Sequence, residues 1–427
     1  MTTSIQAGAA AARKPLKILH IITRLIAGGA QQNTVMSCAA QVAAGHQVHL
    51  AYGPIYGPEG SLFEEAKSGG ANMIEVASMR RSILPGHDWF CYRDLRRIIR
   101  EIRPDVVHTH SSKAGILGRV AAWREQVPAV IHTVHGSPFH DKQPWLVRKA
   151  YIAAERWAAK RCHKLIGITQ PMVDLYREHH IGEPSQYTII PSGVDVAFWS
   201  EMNSGETTSN LRHSVRQSLQ DELCIPMSAP VIGLVARLDR LKGHEDLLCL
   251  MPQLRALHPE LRLLFVGDGF HRPAIESLIR ELHLEDRVAI TGFVSFARVA
   301  QLYRAMDVMV LPSYQEGQSR TLIESLLAGC PIVAYDTGGI REVCIEGLTG
   351  RLVPTADKPA LLDALAWTLE NPAQAKQLAA QGKTHVMQKF DHRQMCQQIE
   401  SLYFDVLNRA NTTAQRAATV RERDQLI

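Results

Sequence analysis

Short, almost unbroken apolar runs recur along the chain: LKILHIIT from Leu16, QVHLAYG, DVVHTH, AVIHTVH, HKLIGIT and TIIP, then VIGLVAR, LRLLFVG, RVAITGF, DVMVLPS, PIVAYD and GRLVP. Strands buried on both faces of a sheet need runs of this kind. Between them lie stretches of helical period, among them QQNTVMSCAAQVAAG, stopped at Gly45, and LVRKAYIAAERWAAKRC. In YRDLRRIIREIRP the residues Leu95, Ile98, Ile99 and Ile102 share one face, with Arg93, Arg96, Arg97, Arg100 and Arg103 around the rest, which predicts a helix solvated on its arginine side. Strands that alternate with helices predict parallel sheets, here twice over. Residues 15–190 read as a first Rossmann-like domain, 191–229 as a polar linker with a helical piece over 211–223, 230–385 as a second Rossmann-like domain, and 386–410 as a last helix. Residues 1–14 and the tail beyond Asn411 carry no pattern that predicts structure.

Composition changes this picture only in detail. With 427 residues, 46% hydrophobic and 21% charged, the chain is of ordinary soluble type with room for two or three domains. The eight cysteines include no C-x-x-C and no Cys/His group at zinc spacing, which predicts reduced thiols in a cytosolic protein. The opening stretch has its charges after the alanines, and His20 and Arg24 interrupt its apolar run, so neither a signal peptide nor a membrane span fits. Charge is uneven: residues 1–190 hold 23 Lys/Arg against 14 Asp/Glu, while the remainder holds 24 against 28. The basic half carries no RNA-binding aromatic motif, zinc module or helix-turn-helix signal, so an anionic membrane surface or acceptor is expected in place of nucleic acid.

Candidate chemistry gathers at strand ends. PSYQEGQSRTLIESLLAGCPIVAYDTGGIRE, from Pro312, puts Glu316 in the loop after a strand and Glu324 in the second turn of a helix that starts at Ser319. Backbone N–H groups at that helix start lie between the two acids, an arrangement suited to a polyhydroxyl ligand that carries phosphate. Arg237 and Lys242 occupy the loop after VIGLVAR, and in an open parallel sheet both loops border the crevice outside the strand ends. Gly28-Gly29 makes a turn after the first strand but lacks the G-x-G-x-x-G fingerprint. His135-Gly136 ends another strand. His108 and His132 read as packing residues, and His110, with Ser111, Ser112 and Lys113, as a candidate on the acceptor side. No D-x-D occurs, so leaving-group charge is expected to fall to the two cations and the helix start, with no metal ion bound.

Arg237, Lys242-Gly243, Gly267-Asp268-Gly269 and the pair Glu316 and Glu324 together resemble the retaining glycosyltransferases of family 4, over nearly the whole chain. The resemblance implies an α/β protein of GT-B fold: two Rossmann-like parallel-sheet domains facing a cleft, with a C-terminal helix crossing back to the first. It also implies metal-independent transfer of a sugar from a nucleotide sugar, most commonly a UDP-sugar, with no other cofactor. The acceptor would be a saccharide or a lipid-linked precursor of exopolysaccharide or lipopolysaccharide, met at the cytoplasmic face of the membrane. By the same resemblance Arg237 and Lys242 hold the diphosphate, Glu316 the donor-sugar hydroxyls, Glu324 the ribose and His135 the donor sugar, while backbone at Gly292 and Val294 meets the base. Gly28, Gly29, Gly267, Gly269, Gly317, Gln318, Ser319, Arg320 and Thr321 complete the donor side. Gln318-Ser319 departs from the commonest pattern of the family and leaves the sugar open. Three other readings compete. An epimerase of the same fold would release altered donor without an acceptor, and a nicotinamide-dependent dehydrogenase would carry the glycine fingerprint. A non-catalytic nucleotide-sugar binder would be expected to lose one of the four charged residues, and all four are present.

Overall fold

In the computed structural model, which describes residues 14–56, 60–140, 143–201 and 208–424, the apolar runs become thirteen strands in two parallel sheets. The first sheet holds β1 (Lys17–Arg24), β2 (Gln47–Gly53), β3 (Asn72–Glu75), β4 (Val106–His110), β5 (Ala129–Val134), β6 (Lys164–Gly167) and β7 (Tyr187–Ile189), in the order β3-β2-β1-β4-β5-β6-β7. The second holds β8 (Val231–Val235), β9 (Arg262–Val266), β10 (Val288–Ile290), β11 (Val308–Leu311), β12 (Ile332–Asp336) and β13 (Arg351–Pro354), in the order β10-β9-β8-β11-β12-β13. Every residue of β4, β5, β8 and β11 is buried, as strands covered by helices on both faces require. The expected pair of Rossmann-like domains is what forms. Strand order reverses between β1 and β4 and again between β8 and β11, and a crevice opens outside the C-terminal ends at each reversal.

Residues 1–13, expected to be patternless, lie outside the described residues. Two other expectations change. The stretch read as a linker carries the helices Val196–Glu201 and Thr208–Leu223, and Trp199, Val215 and Leu219 enter the second domain's core beside Val231 and Tyr303. At the other end, helix Pro372–Lys389 still packs on the second domain through Ala379 and Val386. The chain then turns at Phe390 and Asp391 into one helix, His392–Asp424, which runs well past Asn411. Its Met395, Ile399, Leu402 and Tyr403 pack against Leu16, Ile18, Val106 and Ala129, so it crosses back onto the first sheet.

The chain thus passes between the domains twice, and the two passages run side by side. The Val194 N–H donates to Phe390 O at 2.8 Å and the His392 N–H to Val194 O at 3.0 Å. A Cβ on Gly193 would sit 2.3 Å from the Cα of His392, so only glycine lets them lie so close.

Candidate functional site

β8 and β11 flank the reversal of the second sheet, so the loops that leave them are neighbours. Lys242 Nζ lies 2.5 Å from Glu316 Oε1, with both side chains largely buried. Backbone turns hold this contact from either side. Gly243 is left-handed (φ +74°), and a Cβ there would lie 2.0 Å from Pro312 O; Gly338 is left-handed (φ +53°), and its Cβ would lie 1.9 Å from Glu316 O. No other residue fits either place. Arg237 is 41% exposed and pairs with Asp239 at 3.2 Å. Gly267 and Gly269 lie beneath its loop, where added Cβ atoms would meet the carbonyls of Ala236 and Leu238 at 2.2 and 2.3 Å. These two glycines let the loops stack. Gly292 bridges to Gly267 through backbone, and Val294 is half-buried against the second core.

Arg237, Leu238, Asp239, Arg240, Phe270 and His271 line a cleft of ≈ 370 Å³ that Arg81 of the first domain closes from the other side. Arg81 escapes sequence reading because β3, which precedes its loop, is only four residues long and half-exposed.

Helix Arg320–Leu327 begins beside this loop. The Ser319 hydroxyl caps it, accepting from Leu322 N–H at 3.3 Å, and lies 3.1 Å from Thr321 Oγ1. Two residues expected to line the donor pocket turn elsewhere. Gln318 donates from Nε2 to Ser192 O at 2.8 Å and accepts at Oε1 from Ser192 N–H at 2.9 Å, so both halves of its amide are engaged. Arg320 donates from Nη1 to Gly193 O at 2.7 Å. Both side chains bind the helix start to the segment that links the domains. Glu324, one turn on, is buried 3.5 Å from Arg320; burial pushes its carboxyl up, against the opposing pull of that guanidinium.

The first domain meets this helix start directly. A Cβ on Gly29 would lie 3.0 Å from Arg320 Cδ, and Gly28 stands before helix Gly29–Ala43 in extended backbone. A Cβ on Gly317 would lie 2.5 Å from His135 O, and Thr169 Oγ1 donates to Gly317 O at 3.4 Å. The structure therefore brings His135 and the β1 turn to the loop that carries Glu316.

His135 is half-buried after β5, and burial pushes its ring down to about 4, so it is neutral at pH 7. His110, expected toward the acceptor, is 1% exposed and lies between His135 and His20. Nearby, Lys113 pairs with Asp88 at 2.5 Å. Among the described residues, His20, His108 and His110 bring their nitrogens within 4.8 Å of one another, close enough for a metal ion. Each of their six ring nitrogens already has a hydrogen-bond partner in His110, His20, His135, Gln41, Tyr403 or Thr133, so the group is built as a hydrogen-bonded cluster.

Residues 27–198 match the family described as Glycosyltransferase Family 4, and residues 215–385 the family described as Glycosyl transferases group 1. The chain is 29% identical over 299 residues to a D-inositol 3-phosphate glycosyltransferase of Xylanimonas cellulosilytica, covering 65% of this chain and 66% of that one. It is 30% identical over 297 residues to an alpha-monoglucosyldiacylglycerol synthase of Acholeplasma laidlawii, covering 64% and 72%. The crystal structure of Anabaena HepE in complex with UDP and glucose shares the fold, with a TM-score of 0.77 at 19% identity over 91% of this chain and 100% of that one.

Proposed function

Since this chain belongs to the group 1 glycosyl transferases of GT-B fold, we propose that it moves a sugar from a UDP-sugar, with retention at the anomeric carbon, to a saccharide or lipid-linked acceptor. The contact of Lys242 with Glu316 at the sheet's reversal, with Arg237 in the same loop, carries this reading. The diphosphate sits against Arg237 and Lys242, and Glu316 is released to accept the sugar hydroxyls. Glu324 takes the ribose. The bond from the anomeric carbon to the diphosphate breaks, its electron pair remaining on the phosphate oxygen. The acceptor oxygen bonds to that carbon from the same face, and its proton passes to the leaving phosphate, so no separate base is required. Two cations and a helix start supply the charge stabilisation that a divalent ion supplies elsewhere. UDP is supported by the UDP held in HepE, and a lipid-linked acceptor by the diacylglycerol in the A. laidlawii relative's name.

The acceptor reading also has a surface. Helix Trp145–Ala159 exposes Trp145, Leu146, Val147 and Trp157, with Lys149 4.7 Å above the Trp145 ring and Arg161 4.2 Å above that of Trp157. The other basic helix, Pro85–Ile102, is less available, because Arg96 and Arg100 pair with Glu125 and Arg97 with Asp94. The tryptophan helix supports the reading that the protein docks peripherally on an anionic membrane. The transfer reading is tested by hydrolysis and thermal-shift assays against a panel of nucleotide sugars, with and without EDTA. One UDP-sugar should stabilise the protein and be slowly hydrolysed, unaffected by chelator. Response to no member of the panel overturns the reading, and activity lost to EDTA and restored by magnesium or manganese overturns its metal-independence.

A further inference from the structure

Behind His135 runs a row of buried hydrogen bonds that the transfer described above leaves unused. His135 Nε2 lies 3.0 Å from His110 Nδ1, His110 Nε2 2.9 Å from His20 Nδ1, and His20 Nε2 2.8 Å from Gln41 Oε1. Gln41 Nε2 donates to Tyr403 Oη at 3.3 Å, that hydroxyl lies 2.6 Å from His108 Nδ1, and His108 Nε2 lies 2.7 Å from Thr133 Oγ1. β1, β4, β5, helix Gly29–Ala43 and the crossing helix each contribute a member. His20, Gln41, His108, His110 and Tyr403 are at most 1% exposed.

A neutral imidazole has one N–H and one lone pair, so fixing the direction of one bond in such a row fixes the others. The Gln41 amide sets it. Its oxygen faces His20 and can only accept, so His20 carries its hydrogen on Nε2 and presents a lone pair at Nδ1. His110 must then donate from Nε2 and accept at Nδ1, which requires His135 to donate from Nε2. On the other side the amide N–H points to Tyr403, whose hydroxyl hydrogen goes to His108, and His108 donates to Thr133. Each bond of the row then joins one donor to one acceptor. One atom is left over: among the described residues, His135 Nδ1 has no protein partner.

We propose that His110 and His20 are positioning residues for the transfer, holding His135 as its Nε2–H tautomer so that the Nδ1 lone pair is left to accept a hydroxyl of the donor sugar. The proposal rests on the glycosyl-transfer reading and adds the machinery behind it. Two features support it. The His135 carbonyl packs against Gly317, next to Glu316, so the residue borders the loop that carries the proposed donor contacts. Burial also pushes His20 and His135 down to about 4 and His108 and His110 well below the usual range, which keeps the row neutral, as a directional chain needs.

The test uses the full chain labelled with 15N-histidine, observed by long-range 1H–15N correlation at neutral pH, with His135→Ala to assign the His135 signals. Wild-type protein should show Nε2 protonated and Nδ1 bare. His110→Phe keeps an aromatic ring in place and removes both bonds; it should give mixed His135 tautomers and lower kcat by about tenfold, the scale of one hydrogen bond at the reacting sugar. His110→Gln, whose amide both accepts and donates, should restore most of the rate. If His110→Phe does not fold, Gln41→Leu tests the same row two steps further from the site by the same spectra. Protonation of wild-type His135 at Nδ1, or an unchanged tautomer and rate in the folded variant, overturns the proposal. Loss of activity in His135→Ala with full activity in His110→Phe removes the relay alone and leaves glycosyl transfer standing. Full activity in both His135→Ala and Glu316→Ala removes the site assignment beneath it.

Discussion

At the scale of single residues, two opposite charges at the sheet's reversal neutralise each other. Lys242 and Glu316 satisfy each other at 2.5 Å; on the proposed function, an arriving donor replaces that contact with a phosphate on one side and hydroxyls on the other. Glu316→Ala and Lys242→Ala are each expected to melt near the wild-type temperature and lose on the order of 10²-fold or more in turnover, the usual effect of removing one preorganised electrostatic partner. Initial rates beside thermal melts check this, and near-normal turnover in either variant refutes the assignment. Gly338 gives a sharper test, because Gly338→Ala would set a methyl 1.9 Å from Glu316 O while leaving every charged group in place. It should lower kcat/KM nearly as far as Glu316→Ala. Gly347→Ala is the control: it has the same backbone hand (φ +68°) with nothing within 4 Å, and should cost about 1 kcal/mol of stability and no activity.

At the scale of elements, legibility followed burial. β1, β4, β8 and β11 were readable because a strand covered on both faces shows as an unbroken apolar run, and the charged residues that follow β8 and β11 sit where the sheet's geometry concentrates ligands. Helix Ser112–Arg124 was not readable, since Gly115 and Gly118 look like loop residues. Their missing side chains make room for His132 and Thr109, at 2.5 and 2.7 Å from an added Cβ, so they serve close packing of helix on sheet. Nor does local sequence show that Gln318 and Arg320 serve the hinge, because their partners Ser192 and Gly193 lie more than a hundred residues away. The run-on of the last helix past Asn411 was missed for want of an apolar stripe there. Its buried part can still be weighed: Ile399, 2% exposed, packs on the first sheet, and Ile399→Ala should cost about 2–4 kcal/mol in urea denaturation while leaving donor affinity intact. An unchanged midpoint would detach this helix from the first domain.

At the scale of the whole molecule, the buried histidines tie stability to pH. In the unfolded chain His20 takes up a proton below its ordinary 6.5, but in the folded protein only near 4. The unfolded state binds more protons between those values, so stability is complete above about pH 6.5 and falls as pH drops toward 4, by about 3 kcal/mol for His20 alone. Melting temperatures between pH 7.5 and 4.5 should decline accordingly, and a flat profile would contradict the burial of this row. The exposed tryptophan helix makes a separate prediction: the protein should pellet with anionic vesicles at low ionic strength, less so as salt rises, and not with neutral ones. Equal pelleting with both kinds would exclude docking through charge. Finally, the turn that begins helix Arg320–Leu327 is gripped by the segment joining the domains, through Gln318 and Arg320, beside the loop that carries Glu316. If donor binds there as proposed, its occupancy is linked to the angle between the two halves. Linkage makes their influence mutual: by whatever factor a seated acceptor or a membrane favours one angle that binds donor better, donor favours the acceptor's seat by the same factor.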